Sequence, residues 1–336
     1  MVNKEIIIGN LISEKNTVKF GSISISEIYD GSSISVPVVV INGKYDGPTI
    51  WLQNGVHGDE YVGMRAIHLL IERIKPEDVH GAIILIPMLN IQAFRAGTRM
   101  APQDGLDMNR IWPGAPMEKV MHLFAHSELV VHNIFQYIKK YADCLIDIHD
   151  CGRMGNIAPY AAFYADQKKS GQNKELALAS GMEIIWETQP VWVEEKVPGS
   201  IKSQMLKLGR PSITVEVGGE GRLREVDVNK MYHALVNCIK FMNILEGGPE
   251  KFTGKQKYIK EGNWLRPKHG GPLLMLVEVA EEVSKGQPIA IITDLYGKEV
   301  EKLVSPVDGI VIGCRTLGMV ATGQYTCNVG SREERR

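Results

Sequence analysis

His57 and Glu60, within Asn54-Gly55-Val56-His57-Gly58-Asp59-Glu60, place an imidazole and a carboxylate at i and i+3, close enough to share one divalent cation. Zinc accepts both ligand types in a tetrahedral site. A third ligand candidate, His149, closes the apolar run Cys144-Leu145-Ile146-Asp147-Ile148. Two histidines and one glutamate leave one zinc position open for water, the arrangement of hydrolytic rather than structural zinc. Bound zinc lowers the pKa of that water from about 15.7 to about 7. Such ligand sets accept several divalent metals, so zinc is a preference that availability also decides.

These side chains need elements to aim them. Ile50-Trp51-Leu52-Gln53 reads as a buried strand and Tyr61 to Arg73 as a helix. The His57/Glu60 pair then lies on the turn leaving a strand, where open α/β sheets place their ligands. Gly55 and Gly58 keep that turn free of Cβ atoms, so backbone can pass close to a metal or substrate. Further strands are expected at Val38 to Ile41, Ala82 to Pro87, Cys144 to Ile148, Ala161 to Tyr164 and Ser212 to Val217. Helices are expected at Glu118 to Tyr141, Ser200 to Leu208 and Val226 to Leu245. In the first of these Val120, Phe124, Val131, Ile134, Ile138 and Tyr141 recur near the helical period and form a buried stripe. Strands alternating with helices predict an α/β fold with a largely parallel or mixed sheet flanked by helices.

After Leu245 the pattern changes. Gly247-Gly248-Pro249 breaks the last helix, and only short apolar runs separated by Gly, Pro and Asp follow. The chain therefore divides into a large domain over 1–248, a small all-β module over 249–330 and a polar tail over 331–336. The module's Val283-Ser284-Lys285-Gly286-Gln287-Pro288 and Ser305-Pro306-Val307-Asp308-Gly309 resemble a biotinyl or lipoyl barrel-sandwich domain.

A formal net charge of -1 over 336 residues gives no basic footprint for nucleic acid. No apolar run approaches a membrane span, and the first residues lack the pattern of a signal peptide. Five cysteines with no Cys-x-x-Cys pair suit a reduced compartment. The expectation is a cytoplasmic enzyme; a homo-oligomer is compatible with it.

Two further segments carry chemistry. Glu216, in Thr214-Val215-Glu216-Val217-Gly218-Gly219, lies in an apolar strand before a Gly-Gly turn. Burial would raise its pKa and suit it to general base and then general acid work; pairing with a core arginine is the other reading. Gly97-Thr98-Arg99 and Asp107-Met108-Asn109-Arg110 occupy a glycine-rich loop after a strand. Guanidinium forks there suit an anionic substrate or an oxyanion.

The ordered set His57-x-x-Glu60, Asp107-x-Asn109-Arg110, His149 and Glu216 resembles the succinylglutamate desuccinylase and aspartoacylase family, over residues from about 30 to 330. These are zinc amidohydrolases with a zinc-carboxypeptidase-like fold, many with the same C-terminal β-module. The resemblance implies one zinc per chain on His57, Glu60 and His149, with Glu216 as the proton-transferring carboxylate. Asn109 and Arg110 would hold the substrate carboxylate, and Arg99 would polarise the scissile carbonyl. The chain departs from the commoner pattern at Asp150-Cys151-Gly152, so the acyl and amine preferences of relatives do not carry over. Cys151 would close the open metal position if it were a ligand, which argues against that role.

Other residues have ordinary explanations. His122 and His126 are four apart, a metal-binding spacing, but off the apolar stripe and so expected on a solvated face. His68 is expected to be a packed histidine. Trp186, Trp192 and Gln189-Pro190-Val191 would either cover the cleft or pack on the sheet edge. Asp147 shares a strand face with His149 and would brace it or pair with backbone. Lys298 stands where carrier domains present a modified lysine, without the flanking methionines of biotin carriers. The favoured expectation is a zinc hydrolase cleaving the amide of a small N-acyl amino acid. Its rivals are a zinc carboxypeptidase with an open groove, and a non-enzymatic carrier centred on Lys298.

Overall fold

Continuous aliphatic runs become central strands because helices cover both faces of the sheet, leaving no polar side to alternate with. The computed structural model describes residues 5–28, 30–120, 126–165, 170–189 and 199–332. A hairpin of β1 (Ile6–Ile8) and β2 (Leu11–Ser13) precedes β3 (Thr17–Glu27), β4 (Ser33–Asn42) and β5 (Tyr45–Asn54). Then come α1 (Val62–Arg73), β6 (His80–Ile86), α2 (Ile91–Ala96), α3 (His126–Tyr141), β7 (Cys144–His149) and β8 (Gly155–Tyr164). The α/β part ends with α4 (Ser170–Ala179), β9 (Ile184–Thr188), α5 (Ile201–Leu208), β10 (Ser212–Gly219) and α6 (Glu225–Phe241). Only strands follow: β11 (Lys257–Leu265), β12 (Gly271–Met275), β13 (Glu282–Val283), β14 (Pro288–Thr293), β15 (Glu299–Val304), β16 (Gly309–Arg315), β17 (Met319–Val320) and β18 (Cys327–Arg332).

One mixed sheet in the order β13-β16-β18-β11-β9-β8-β10-β7-β5-β6-β4-β3 runs through both parts. Its centre, β10-β7-β5-β6, is parallel. Alternate residues serve opposite faces. Ile50, Leu52, Ile146 and Val215 pack under α1 and α6 against Ile67, Leu70, Met231 and Leu235. Trp51, Ile84, Ile86 and Leu145 pack on the other face against Val131, Ile134 and Ile138 of α3 and Met205 of α5. Each such aliphatic side chain contributes about 1.5–3 kcal/mol by leaving water.

Strand β16 pairs with β8 as well as with β18, so β8-β9-β11-β18-β16 closes on itself as a small barrel. Two of its strands come from the α/β part and three from the C-terminal part. A separate sheet, β15-β14-β12-β17, shares a core with it through Leu273, Ile289, Ile292, Val311 and Val329. Lys298 is exposed in the turn between β14 and β15, its N–H donating to Asp294 Oδ1 at 3.0 Å. No helix among the described residues is long and apolar enough to cross a membrane.

The helix expected from Glu118 instead starts at His126, after a 3-10 turn at Met117–Lys119. Its first turn is tied to the preceding loop: Ser127 N and Oγ both donate to Asp104, at 2.7 and 2.9 Å. His126 is consequently buried, without a hydrogen bond to either ring nitrogen, and not on a solvated face. His122 and Phe124 lie outside the described residues, as do Pro190-Val191, Trp192 and the last four residues of the tail.

Candidate active site

The carboxyl ends of β5, β7 and β10 lie side by side. Asn54 is in register with Ile148, and His149 with Glu216. The turn after β5 brings His57 and Glu60 to the same edge, all three ligand candidates being almost wholly buried. His57 Nδ1 lies 2.6 Å from Glu60 Oε1, and His149 Nδ1 lies 2.8 Å from Glu60 Oε2. The opposite ring nitrogens are braced by carboxylates: His57 Nε2 by Asp107 and His149 Nε2 by Asp147, both at 3.1 Å. Asp147 is held in turn by Gln53 Nε2 at 3.1 Å, and Gln53 Oε1 accepts from Trp51 Nε1 at 3.2 Å.

Burial works against every charge in this cluster, yet the two imidazoles hold Glu60 well below the usual carboxylate range. Reciprocally, burial opposes but Asp147 and Glu60 overcome it to raise His149, and Glu60 and Asp107 do the same for His57. The donor set fits a divalent cation. One ligand atom from each of His57, Glu60 and His149 lies within 4.8 Å of the others. Bracing each Nε2 with a carboxylate leaves the two Nδ1 atoms as the ligand nitrogens and fixes the ring planes.

Glycines close this turn for a reason other than the expected one. A Cβ on Gly58 would stand 2.2 Å from the Ala93 carbonyl carbon, and one on Gly55 would meet Met88. The turn is thus pressed onto α2 and the loop before it, and substrate is not what the missing Cβ atoms admit. Gly58 N also donates to the Arg99 carbonyl oxygen at 3.1 Å, tying the arginine loop to the ligand turn.

Asp150, left without a role by the sequence, joins the ligands' elements. Its carboxylate accepts from Tyr61 N at 2.8 Å and Val62 N at 3.0 Å, at the start of α1, and from Gly152 N at 2.7 Å. Burial and the neighbouring Glu60 push its pKa up to about 7 despite those donors. A carboxyl raised on folding contributes stability below its unfolded pKa, about 3.9, and loses it as pH rises through the folded value. The metal-free protein should therefore lose unfolding free energy between about pH 4 and 7. Asp150→Asn should flatten that slope in urea titrations; an unchanged slope would assign it to other groups.

Glu216 sits in register between His149 and Tyr160. Burial raises its pKa, against the pull of His149 and a hydrogen bond from the Tyr160 hydroxyl. Among the described residues it has no arginine salt bridge, so the core-pairing reading lacks its partner. Arg99 donates to Glu60 Oε1 at 3.3 Å and is partly exposed to the cavity. Asp107 does two jobs. Besides bracing His57, its Oδ1 accepts from Asn109 N at 2.9 Å, capping the short 3-10 turn Met108–Arg110. Asn109 Oδ1 is buried without a partner, and Arg110 is exposed, donating to the Asn109 carbonyl at 2.9 Å. Burial and nearby carboxylates keep the Cys151 thiol protonated, and it is not among the clustered ligands.

All these residues line one cavity of about 670 Å³. Its other walls were not foreseen as site residues: Tyr160, and from the C-terminal strands and turns Trp264, Arg266, Arg315, Tyr325 and Asn328. Trp186 faces the cavity and also packs at the barrel, so both readings of it hold.

Residues 46–242 match the family model described as the succinylglutamate desuccinylase/aspartoacylase catalytic domain. The chain is 27% identical over 266 residues to the N-alpha-acetyl-L-2,4-diaminobutyric acid deacetylase of Halomonas elongata, covering 78% of this chain and 75% of that protein. It is similar in structure to a succinylglutamate desuccinylase from Silicibacter sp. TM1040, with TM-score 0.85, 22% identity and coverage of 98% and 99%. It is also similar to the product-bound ectoine utilization protein EutE (DoeB) of Ruegeria pomeroyi, with TM-score 0.86, 24% identity and the same coverage.

Proposed function

The chain belongs to the succinylglutamate desuccinylase/aspartoacylase family, and from that premise we propose that it is a cytoplasmic, zinc-dependent deacylase with one zinc per chain. Its substrate class is the N-acyl amino acids and related small carboxylates. The observation that carries the reading is the convergence of two carboxylate-braced imidazoles on Glu60, beside a buried carboxylate, Glu216. Similarity to a named deacetylase supports it. A zinc-carboxypeptidase-like descent of the sheet is part of the same reading.

His57, Glu60 and His149 would hold the zinc, which when bound supplies Lewis acidity toward a water molecule and the acyl oxygen. Glu216, its pKa raised by burial, takes a proton from the attacking water and delivers it to the leaving amine nitrogen. Arg99 donates to the oxyanion that develops on the acyl oxygen. Asn109 and Arg110 hold the amino-acid carboxylate and so fix the amide relative to Glu216. The walls contributed by Trp264, Arg315 and Tyr325 bound the cavity, which favours a small substrate over a peptide lying in an open groove.

Arg110 provides the test. Because it is exposed, its pair with a substrate carboxylate is expected at the weak end of charge-assisted bonds, about 1.5 kcal/mol. Arg110→Ala should raise KM about tenfold for a free N-acetyl amino acid and much less for its methyl ester, already a poor substrate of the parent. Equal losses on acid and ester would assign Arg110 to the fold or the oxyanion. A parent enzyme that prefers the ester would remove the carboxylate from the substrate class altogether.

A further inference from the structure

Arg110 and Asn109 have counterparts at the other end of the cavity. Arg315 ends β16 and Asn328 lies in β18, and both line the cavity wall. Arg315 is 6% exposed, its Nε donates to the Met319 carbonyl at 2.6 Å, and among the described residues it forms no salt bridge. A guanidinium taken out of water without a counter-charge is costly unless a ligand supplies one. Asn328 is 2% exposed and its Oδ1 has no hydrogen-bond partner. A carboxamide can turn either edge to a ligand, so it can donate as well as accept.

Strand order sets the two ends apart. The loop after β6 carries Arg99 and Arg110; next come β5 and its turn with His57 and Glu60, β7 with His149, and β10 with Glu216. Beyond β10 lies β8, whose Gly155 pairs with Arg315. The ligand trio and Glu216 therefore stand between the two Asn/Arg pairs. The three carboxylates that line the cavity, Glu60, Asp150 and Glu216, all belong to this middle. The far end is cationic, with Arg266 beside Arg315, and a series of rings walls it. Tyr160 and Trp186 have centroids 5.4 Å apart, Trp186 and Trp264 6.4 Å, and Trp264 and Tyr325 5.3 Å.

We propose that Arg315 and Asn328 form a second anion pole in the cavity, which selects N-acyl amino acids whose acyl group itself ends in an anionic group. The inference rests on the deacylase reading, in which Arg110 holds the amino-acid carboxylate and the acyl chain extends past Glu216 along the rings.

The test compares N-succinyl-L-alanine with its terminal amide, N-succinamoyl-L-alanine, which differs only in the distal charge. Zinc-loaded wild type should prefer the succinyl compound by about ten- to a hundredfold in kcat/KM, mostly through KM. In Arg315→Gln the preference should fall to about one with metal content unchanged. Asn328→Asp, nearly isosteric and placing a carboxylate beside Arg315, should do the same if the first variant folds poorly. A preference that survives both substitutions, or a wild type that prefers the amide, would overturn the pole. Turnover of neither compound would instead count against the deacylase reading. Calorimetry with succinate then tests the pole alone: a roughly tenfold weaker affinity in Arg315→Gln supports it, and equal affinity in wild type and both variants overturns it.

Discussion

Zinc-loaded protein carrying Glu216→Gln should keep its metal and turn over an N-acyl amino acid about 10² to 10⁴ times more slowly than the parent. The substitution preserves shape and removes only the ionisable oxygen. Glu216 is flanked in register by His149 and Tyr160, so a glutamine retains neighbours on both sides and the strand has no reason to move. Burial raises the Glu216 pKa, so the acidic limb of the parent's pH profile for kcat/KM should lie above the ordinary carboxylate range. Activity should rise as the carboxyl ionises, and the variant should lack that limb. Near-normal turnover with the limb intact would show that another group carries the proton.

Replacing His149 by Ala should abolish both zinc binding and activity, against about one zinc per chain in the parent. The loss goes beyond a ligand, because Glu60 Oε2 gives up its 2.8 Å partner in a buried site. Asp147→Asn separates these effects: it leaves the ligand nitrogen in place but loosens the ring, and should weaken zinc binding about 10- to 100-fold. Elemental analysis reads both variants. Full occupancy in His149→Ala would end the assignment of this ligand.

The ligand trio was legible because few side chains bind such a cation and strand ends place them at one edge. Glu216 was legible as a carboxylate in an apolar strand, but its alignment with His149 is a property of strand register, which no local pattern encodes. Asp107 stood in the recognised motif without revealing that it grips His57, since that contact depends on where the loop folds back. His126 was misplaced because a helical stripe describes one helix alone, whereas the loop bearing Asp104 closes over its first turn. The short elements α2 and β9 carry too few residues to show a period. Arg315, Asn328 and Trp264 reach the cavity only through the pairing of β16 with β8, residues far apart in the chain and joined by no local signal.

That same pairing sets the order of events at the ribosome. The wall beside Glu216 is finished by strands made last, so the long α/β part emerges with the edges of β8 and β9 unpaired. Ile184, Trp186 and Ala158 wait uncovered until Ile259, Ile310 and Ile312 arrive to pack on them. Non-local closures of this kind are slow, and open apolar edges are where chains aggregate. Translation that stops near residue 248 should therefore yield an insoluble fragment instead of a smaller enzyme, which sedimentation of such a fragment would check. A cell would never hold a catalytically competent nascent chain: activity begins only when synthesis is complete.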